Sequence, residues 1–217
     1  MPVVLCFGDS NTHGTLAMRH AGDRRRLPTD QRWPNVMAAM LGPDWEVIAE
    51  GHPGRTAVFA DPIEGSHKNG QLALPVVLES HRPLDLVIVM LGTNDLKARF
   101  SASATDIALG LERLLIEIAQ SDAGPDGSAP ALLLSAPAPV TETGIFAEVF
   151  AGGAAKSRAL PAILAQVAAR QGAGFWDAGD LVVTDPTDGI HLDAAAHAAI
   201  GAELASVVQK QITVREE

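Results

Sequence analysis

The sequence predicts an α/β protein: a three-layer doubly wound sandwich around a five-stranded parallel sheet with strand order 2-1-3-4-5. Three observations predict it. Short apolar, β-branched runs alternate with segments whose apolar residues recur at helical spacing. The runs are apolar throughout, so they need cover on both faces, and the helices between them supply it. The polar residues cluster just after the first and third runs, where that strand order places its switch point and its ligand crevice.

In order along the chain, Val-Val-Leu-Cys-Phe over 3–7 reads as the first strand, with Cys6 a small buried hydrophobe in its middle. A helix is expected over 32–41, with Met37 and Met40 on its apolar face and therefore in the core. Strand two follows over 45–49 and a helix over 71–81; strand three covers 84–91 and a long helix 104–120. The segment 124–130, rich in Gly and Pro, is a loop leading to strand four over 131–135. A helix over 159–171, strand five over 174–176 and a final helix over 194–211 complete the pattern. Three connections, 8–31, 51–70 and 137–157, are longer than turns require, and long ordered loops tend to carry function.

The 217 residues fit one domain, 1–217, and 47% hydrophobic residues are enough to close a core without staples. The net charge of −10 argues against nucleic acid or an anionic membrane as partner. Arg24-Arg25-Arg26 reads as a solvated loop rather than a phosphate site. With Cys6 the single cysteine, neither an internal disulfide nor a cysteine zinc cluster can form. The chain reaches Gly8-Asp9-Ser10 too soon for a secretory signal, and no window approaches the ~18 apolar residues of a membrane span. A cytoplasmic protein is expected.

Ser10 follows the first strand, where a hydroxyl sits exposed at the sheet rim beside backbone N–H groups able to hold an oxyanion. A plain turn with an N-cap serine explains the same residues equally well. In Asp188-Gly189-Ile190-His191, one turn can set the carboxylate beside the imidazole and make His191 the base that a serine nucleophile requires. An Asp-Gly turn with an incidental surface histidine is the alternative. Asn94, in Leu91-Gly92-Thr93-Asn94-Asp95, could aim an amide at a developing alkoxide or simply cap a helix. Gly54, after Pro53, could offer an unobstructed backbone N–H or merely form a turn.

Taken together and in this order, these residues resemble the SGNH, or GDSL, hydrolases. The matching blocks are Gly8-Asp9-Ser10, Gly54, Gly92-Thr93-Asn94-Asp95 and Asp188-Gly189-Ile190-His191, spanning nearly the whole chain. With Phe7, Glu50-Gly51, Asp85-Leu86-Val87-Ile88 and Met90-Leu91, they are most similar to the bacterial arylesterase and acyltransferase branch. The resemblance implies a flavodoxin-like SGNH hydrolase fold and a serine esterase for small acetyl-type and aryl esters, with acyl transfer to alcohols as a further capacity. It implies Ser10 as nucleophile, His191 as base and then acid, and Asp188 as its orienting partner. The Ser10 and Gly54 N–H groups and the Asn94 side chain would form the oxyanion hole. Asp9, Asn11, His13, Arg55, Thr93 and Ile190 are the candidate substrate-binding residues. No cofactor or metal is implied. The expected partners are a small ester and a water or alcohol acceptor, and a homo-oligomer is expected, since octamers occur in the branch. Some members deacetylate sugars, and that is the alternative activity; lysophospholipase, thioesterase or a non-catalytic binding module are weaker ones.

Two departures matter. Gly8-Asp9-Ser10-Asn11-Thr12 lacks the second glycine of a G-x-S-x-G elbow. Where the resembling transferases carry tryptophans after the serine, this chain has His13 and Thr15, so a wetter pocket and hydrolysis are expected. Elsewhere, Gly152-Gly153-Ala154-Ala155-Lys156-Ser157 only approximates a phosphate loop. His191, Asp193 and His197 could be imagined as metal ligands, but Asp193 reads better as the N-cap of the last helix. The apolar segment 145–150 could cover the core, line the acyl pocket or meet a second subunit.

Overall fold

A computed structural model describes residues 1–216. Five parallel strands form one sheet in the order β2-β1-β3-β4-β5. They are β1 (Val3–Gly8), β2 (Glu46–Gly51), β3 (Leu86–Met90), β4 (Ala131–Ala136) and β5 (Gly174–Asp177). The α-helices are α1 (Ser10–His13), α2 (Trp33–Leu41), α3 (Gly70–His81), α4 (Ala104–Ala119), α5 (Gly153–Arg170) and α6 (Ala194–Glu216). The expected strand order is the one observed.

Side chains alternate across each strand, and this divides the core in two. Leu5, Phe7, Val87, Val89 and Leu134 turn toward Leu74, Leu111, Leu115 and Leu164 of α3, α4 and α5. Val4, Cys6, Leu86, Ile88 and Leu133 turn toward Trp33, Met37, Ile200 and Leu204 of α2 and α6. Cys6 is fully buried, and burial drives its thiol pKa far up.

Two expectations need correction. Met40 is 55% exposed rather than core. The buried stripe of α2 runs through Pro34, Met37 and Leu41, and Met40 falls on its margin in the last turn. Helix α5 begins six residues earlier than expected, at Gly153, because Gly152 takes a left-handed conformation (φ 77°) that turns the chain into the helix. The near phosphate loop is therefore the first turns of α5. Lys156 there donates to Ala102 O at 2.9 Å.

The α2–α6 pair is joined at its end by a histidine. His197 is fully buried, and its Nδ1 accepts the Trp33 N–H at 3.1 Å, satisfying an orphan donor at the start of α2. The ring is thus a neutral Nε2–H tautomer and a helix cap, not a metal ligand. Burial lowers its pKa to about 4, with the His191 and Arg32 charges adding to the effect and the Asp193 carboxylate opposing it. Because the folded pKa lies below the unfolded value, the contribution is complete above about 6.5 and is lost as pH falls toward 4. By linkage this amounts to about 3 kcal/mol. His197→Asn keeps an acceptor but leaves a void. It should lower stability at pH 7.5 by about 1–3 kcal/mol and flatten the loss of stability between pH 6.5 and 4. Urea denaturation across that range checks both.

Candidate active site

The site forms at the carboxyl ends of β1 and β3, the switch point of the sheet. Asp9 ends the turn after β1 and caps α1, accepting the Asn11 N–H at 2.9 Å. Helix α1 sits directly on the strand ends. A Cβ at Gly8 would overlap the Thr12 side chain, and one at Gly51 would overlap the backbone of Thr12 and His13. That crowding fixes Ser10 as the first helical residue, with an N–H that helix geometry leaves without an intrahelical acceptor.

The second half of the site comes from the loop before α6. Asp188 Oδ1 accepts the N–H groups of Ile190 and His191, each at 3.0 Å, which closes the turn. Its other oxygen, Oδ2, meets His191 Nδ1 at 2.6 Å and the Met18 N–H at 2.7 Å. Burial pushes this carboxyl up, but the hydrogen bonds and charge of His191 and the Met18 and His191 amides outweigh it, leaving a pKa of about 2. Asp188 is therefore ionised and holds the Nδ1–H tautomer. The Nε2 lone pair then faces Ser10 Oγ at 3.1 Å. Asn11 clamps the two halves together, donating to Ile190 O at 3.1 Å and accepting the Leu192 N–H at 3.2 Å. Residues some 180 positions apart thus form one hydrogen-bonded line.

Asn94 opens a short 3₁₀ turn after β3. Its amide nitrogen bonds Arg55 O at 3.1 Å and reaches Asp9 Oδ2 at 3.3 Å. Gly54 lies on the rim with φ 83°, in a turn closed by Arg55 N–H to His52 O at 3.0 Å. A buried Asp95 steadies the same loop, accepting the Ala57 N–H at 2.9 Å, and desolvation raises its pKa to about 7.

A pocket of about 290 Å³ joins these groups. Ser10, Gly54, Asn94 and His191 lie at its floor and rim; Met18, Phe146, Phe150 and Ile190 give it an apolar side. Glu64, Lys68 and Lys97 give it a charged side, which the sequence reading did not single out. Lys97 is buried and pairs with Glu64 at 2.5 Å and Asp61 at 3.4 Å. A larger groove of about 580 Å³ lies between Phe59, Phe100 and Arg113, away from these residues.

Of the six candidate substrate-binding residues, Ile190 lines the pocket. Asp9, Asn11, Arg55 and Thr93 are buried and turn into the fold. Arg55 donates to Gly8 O and Glu50 O and lies 4.2 Å over the Phe7 ring. The Thr93 hydroxyl is buried without a hydrogen-bond partner among the described residues. His13 bonds Thr15 Oγ1 at 3.0 Å, and Thr15 is the one of the two that reaches the pocket. Burial, then nearby cations, lowers the His13 pKa to about 4. The segment 145–150 both covers the core, through Phe150, and lines the pocket, through Phe146 and Phe150. Arg25 and Arg26 are tied down by Asp23 and by His13 O. Asp193 Oδ1 accepts the Ala196 N–H at 2.8 Å and so caps α6. No cluster of three or more potential metal ligands occurs among the described residues.

The fold has close counterparts among solved structures. An aryl esterase from M. smegmatis is 38% identical with a TM-score of 0.92, over 97% of this chain and 99% of that one. Est24, a carbohydrate acetylesterase from Sinorhizobium meliloti, is 38% identical with a TM-score of 0.93, over 97% of this chain and 100% of the other. The lipase/acylhydrolase from Enterococcus faecalis, at 21% identity and TM-score 0.66 over 97% of both chains, shares the fold. Comparison with curated proteins gave no match. The pattern of the GDSL-like lipase/acylhydrolase family matches residues 6–199. This protein belongs to that family and is a carboxylic ester hydrolase.

Proposed function

We propose that this protein hydrolyses small, short-acyl esters, aryl acetates among them, through an acyl-enzyme on Ser10. The observation that carries the reading is the Asp188–His191–Ser10 line of 2.6 and 3.1 Å opening into a pocket of about 290 Å³. That volume lies at the low end of ligand pockets, about 300–1,000 Å³, and suits an acetyl-sized group better than a long chain.

Ser10 Oγ attacks the ester carbonyl while His191 Nε2 takes its proton, and ionised Asp188 stabilises the resulting imidazolium. The carbonyl oxygen, now an oxyanion, accepts from the Ser10 and Gly54 N–H groups and the Asn94 amide. His191 returns the proton to the departing alcohol or phenol oxygen as the C–O bond breaks. Water then repeats the sequence on the acyl-enzyme, releasing the acid and restoring Ser10. The charged wall of Glu64, Lys68 and Lys97 favours water over an apolar alcohol as acceptor, so transfer is the minor reaction.

The same wall supports a second reading, a carbohydrate acetyl esterase, because it offers donors and acceptors to sugar hydroxyls. The equal identity to an aryl esterase and a carbohydrate acetylesterase, 38% each, leaves both substrates in view.

Ser10→Ala should abolish aryl acetate hydrolysis without changing the melting temperature, and wild-type turnover in that variant would end the proposal. Asn94→Ala should lower kcat by about 10²–10³. A general base must be unprotonated to act, so hydrolysis should rise with pH along a single limb; Asp188, at about 2, stays ionised throughout the neutral range and adds no limb of its own. A flat profile between pH 5 and 9 would remove His191 as base. Acetate should be cleaved faster than octanoate of the same phenol, and a panel adding acetylated sugars and an alcohol acceptor separates the two substrate readings and measures transfer.

A further inference from the structure

The Gly54 turn is gripped from behind. Lys68 Nζ donates to Pro53 O at 2.8 Å, the carbonyl of the very peptide whose nitrogen is Gly54 N. A trans peptide is planar, with its C=O and N–H pointing in opposite directions. An ammonium on the carbonyl therefore leaves the N–H facing the other way, and Gly54 N–H meets no acceptor among the described residues. Hydrogen bonds in series polarise one another, and a charged donor does so more strongly than a neutral one. Lys68 thus both orients this amide and makes its N–H a stronger donor.

Lys68 is itself built into place. Its carbonyl accepts the Thr56 N–H at 2.9 Å and the Thr56 hydroxyl at 3.2 Å, tying its backbone to the far side of the Gly54 turn. Its Nζ also meets His52 Nε2 at 3.3 Å. Burial and the neighbouring Lys68 and Arg55 charges lower the His52 pKa to about 4, so this ring is a neutral acceptor. Its stem passes beneath Gly54, where an added Cβ would lie 3.2 Å from Lys68 Cε. Glu64 acts on this ammonium through its charge, without an ion pair among the described residues, so the directed contacts of Nζ are the Pro53 carbonyl and the His52 ring.

We propose that Lys68 is a positioning residue for ester hydrolysis, holding and polarising the Pro53–Gly54 peptide so that the Gly54 N–H meets the oxyanion. This rests on the reading that Gly54 is an oxyanion donor. Losing one whole donor lowers kcat by about 10²–10³. Lys68 acts through a donor that remains, so Lys68→Met should lower kcat for an aryl acetate by about tenfold, with KM within about twofold. A boronic acid that forms a tetrahedral adduct on Ser10 should bind more weakly by the same factor, and Lys68→Arg should restore most of both losses. Lys68→Gln, a shorter neutral donor, serves if the Met variant melts early, and should fall between Met and wild type. An unchanged kcat overturns the proposal. A raised KM at unchanged kcat also overturns it, by making Lys68 a substrate contact, and Arg failing as fully as Met reduces the lysine to a scaffold role. Asn94→Ala, assayed in parallel, separates the two levels. If it loses its expected factor while Lys68→Met loses nothing, only the Lys68 role falls; if neither loses activity, the oxyanion-hole assignment falls with it.

Discussion

The site depends on how one buried carboxylate divides its two oxygens. Asp188 spends Oδ1 on the amides of its own turn and Oδ2 on the His191 ring and the Met18 amide. The first set shapes the loop before α6, and the second aims the imidazole and anchors the long connection after α1. A neutral side chain of the same size could keep some of these bonds, but without the charge it would not fix the Nδ1–H tautomer of His191 in the same way. Two distant stretches of chain become one hydrogen-bonded line because they converge on a single group with low exposure and high hydrogen-bonding capacity.

A second layer of buried charge supports the opposite rim. Asp61 is fully buried and takes Lys97, Arg99 and the amides of Ile63 and Glu64. Taking such ions out of water is expensive, and their mutual attraction offsets that only when nearly every lone pair is used. The return is shape: the loop 51–70 has little regular structure, and this network fixes it where Gly54 and Lys68 face each other.

Much of this was legible in the sequence. Strands buried on both faces announce themselves as unbroken apolar runs, so the sheet followed from residues such as Val4-Leu5-Cys6-Phe7 and Leu86-Val87-Ile88-Val89, while its order fitted the polar motifs clustered after the first and third of them. Ser10, Asn94, Asp188 and His191 stood out because each sits in a short motif at a strand or helix end. Other features left no such trace. Glu64, Lys68 and Lys97 are ordinary charged residues in irregular chain, and nothing local shows that they share a pocket wall with Ser10. Asp9, Asn11, Arg55 and Thr93 lie beside the reactive groups in sequence, but proximity along the chain does not reveal whether a side chain turns outward or inward. Met40 and the start of α5 were misread because helical periodicity says little about the margin of a stripe or a left-handed glycine.

The burial of Cys6 has a practical consequence. It is the chain's single sulfhydryl, sealed in the interior strand β1 and held protonated. Maleimides and other thiol-seeking labels need a thiolate within reach, and here they find neither the anion nor access. The native protein therefore behaves as a cysteine-free background, and a probe attached to one new cysteine at the pocket mouth would report from that position alone.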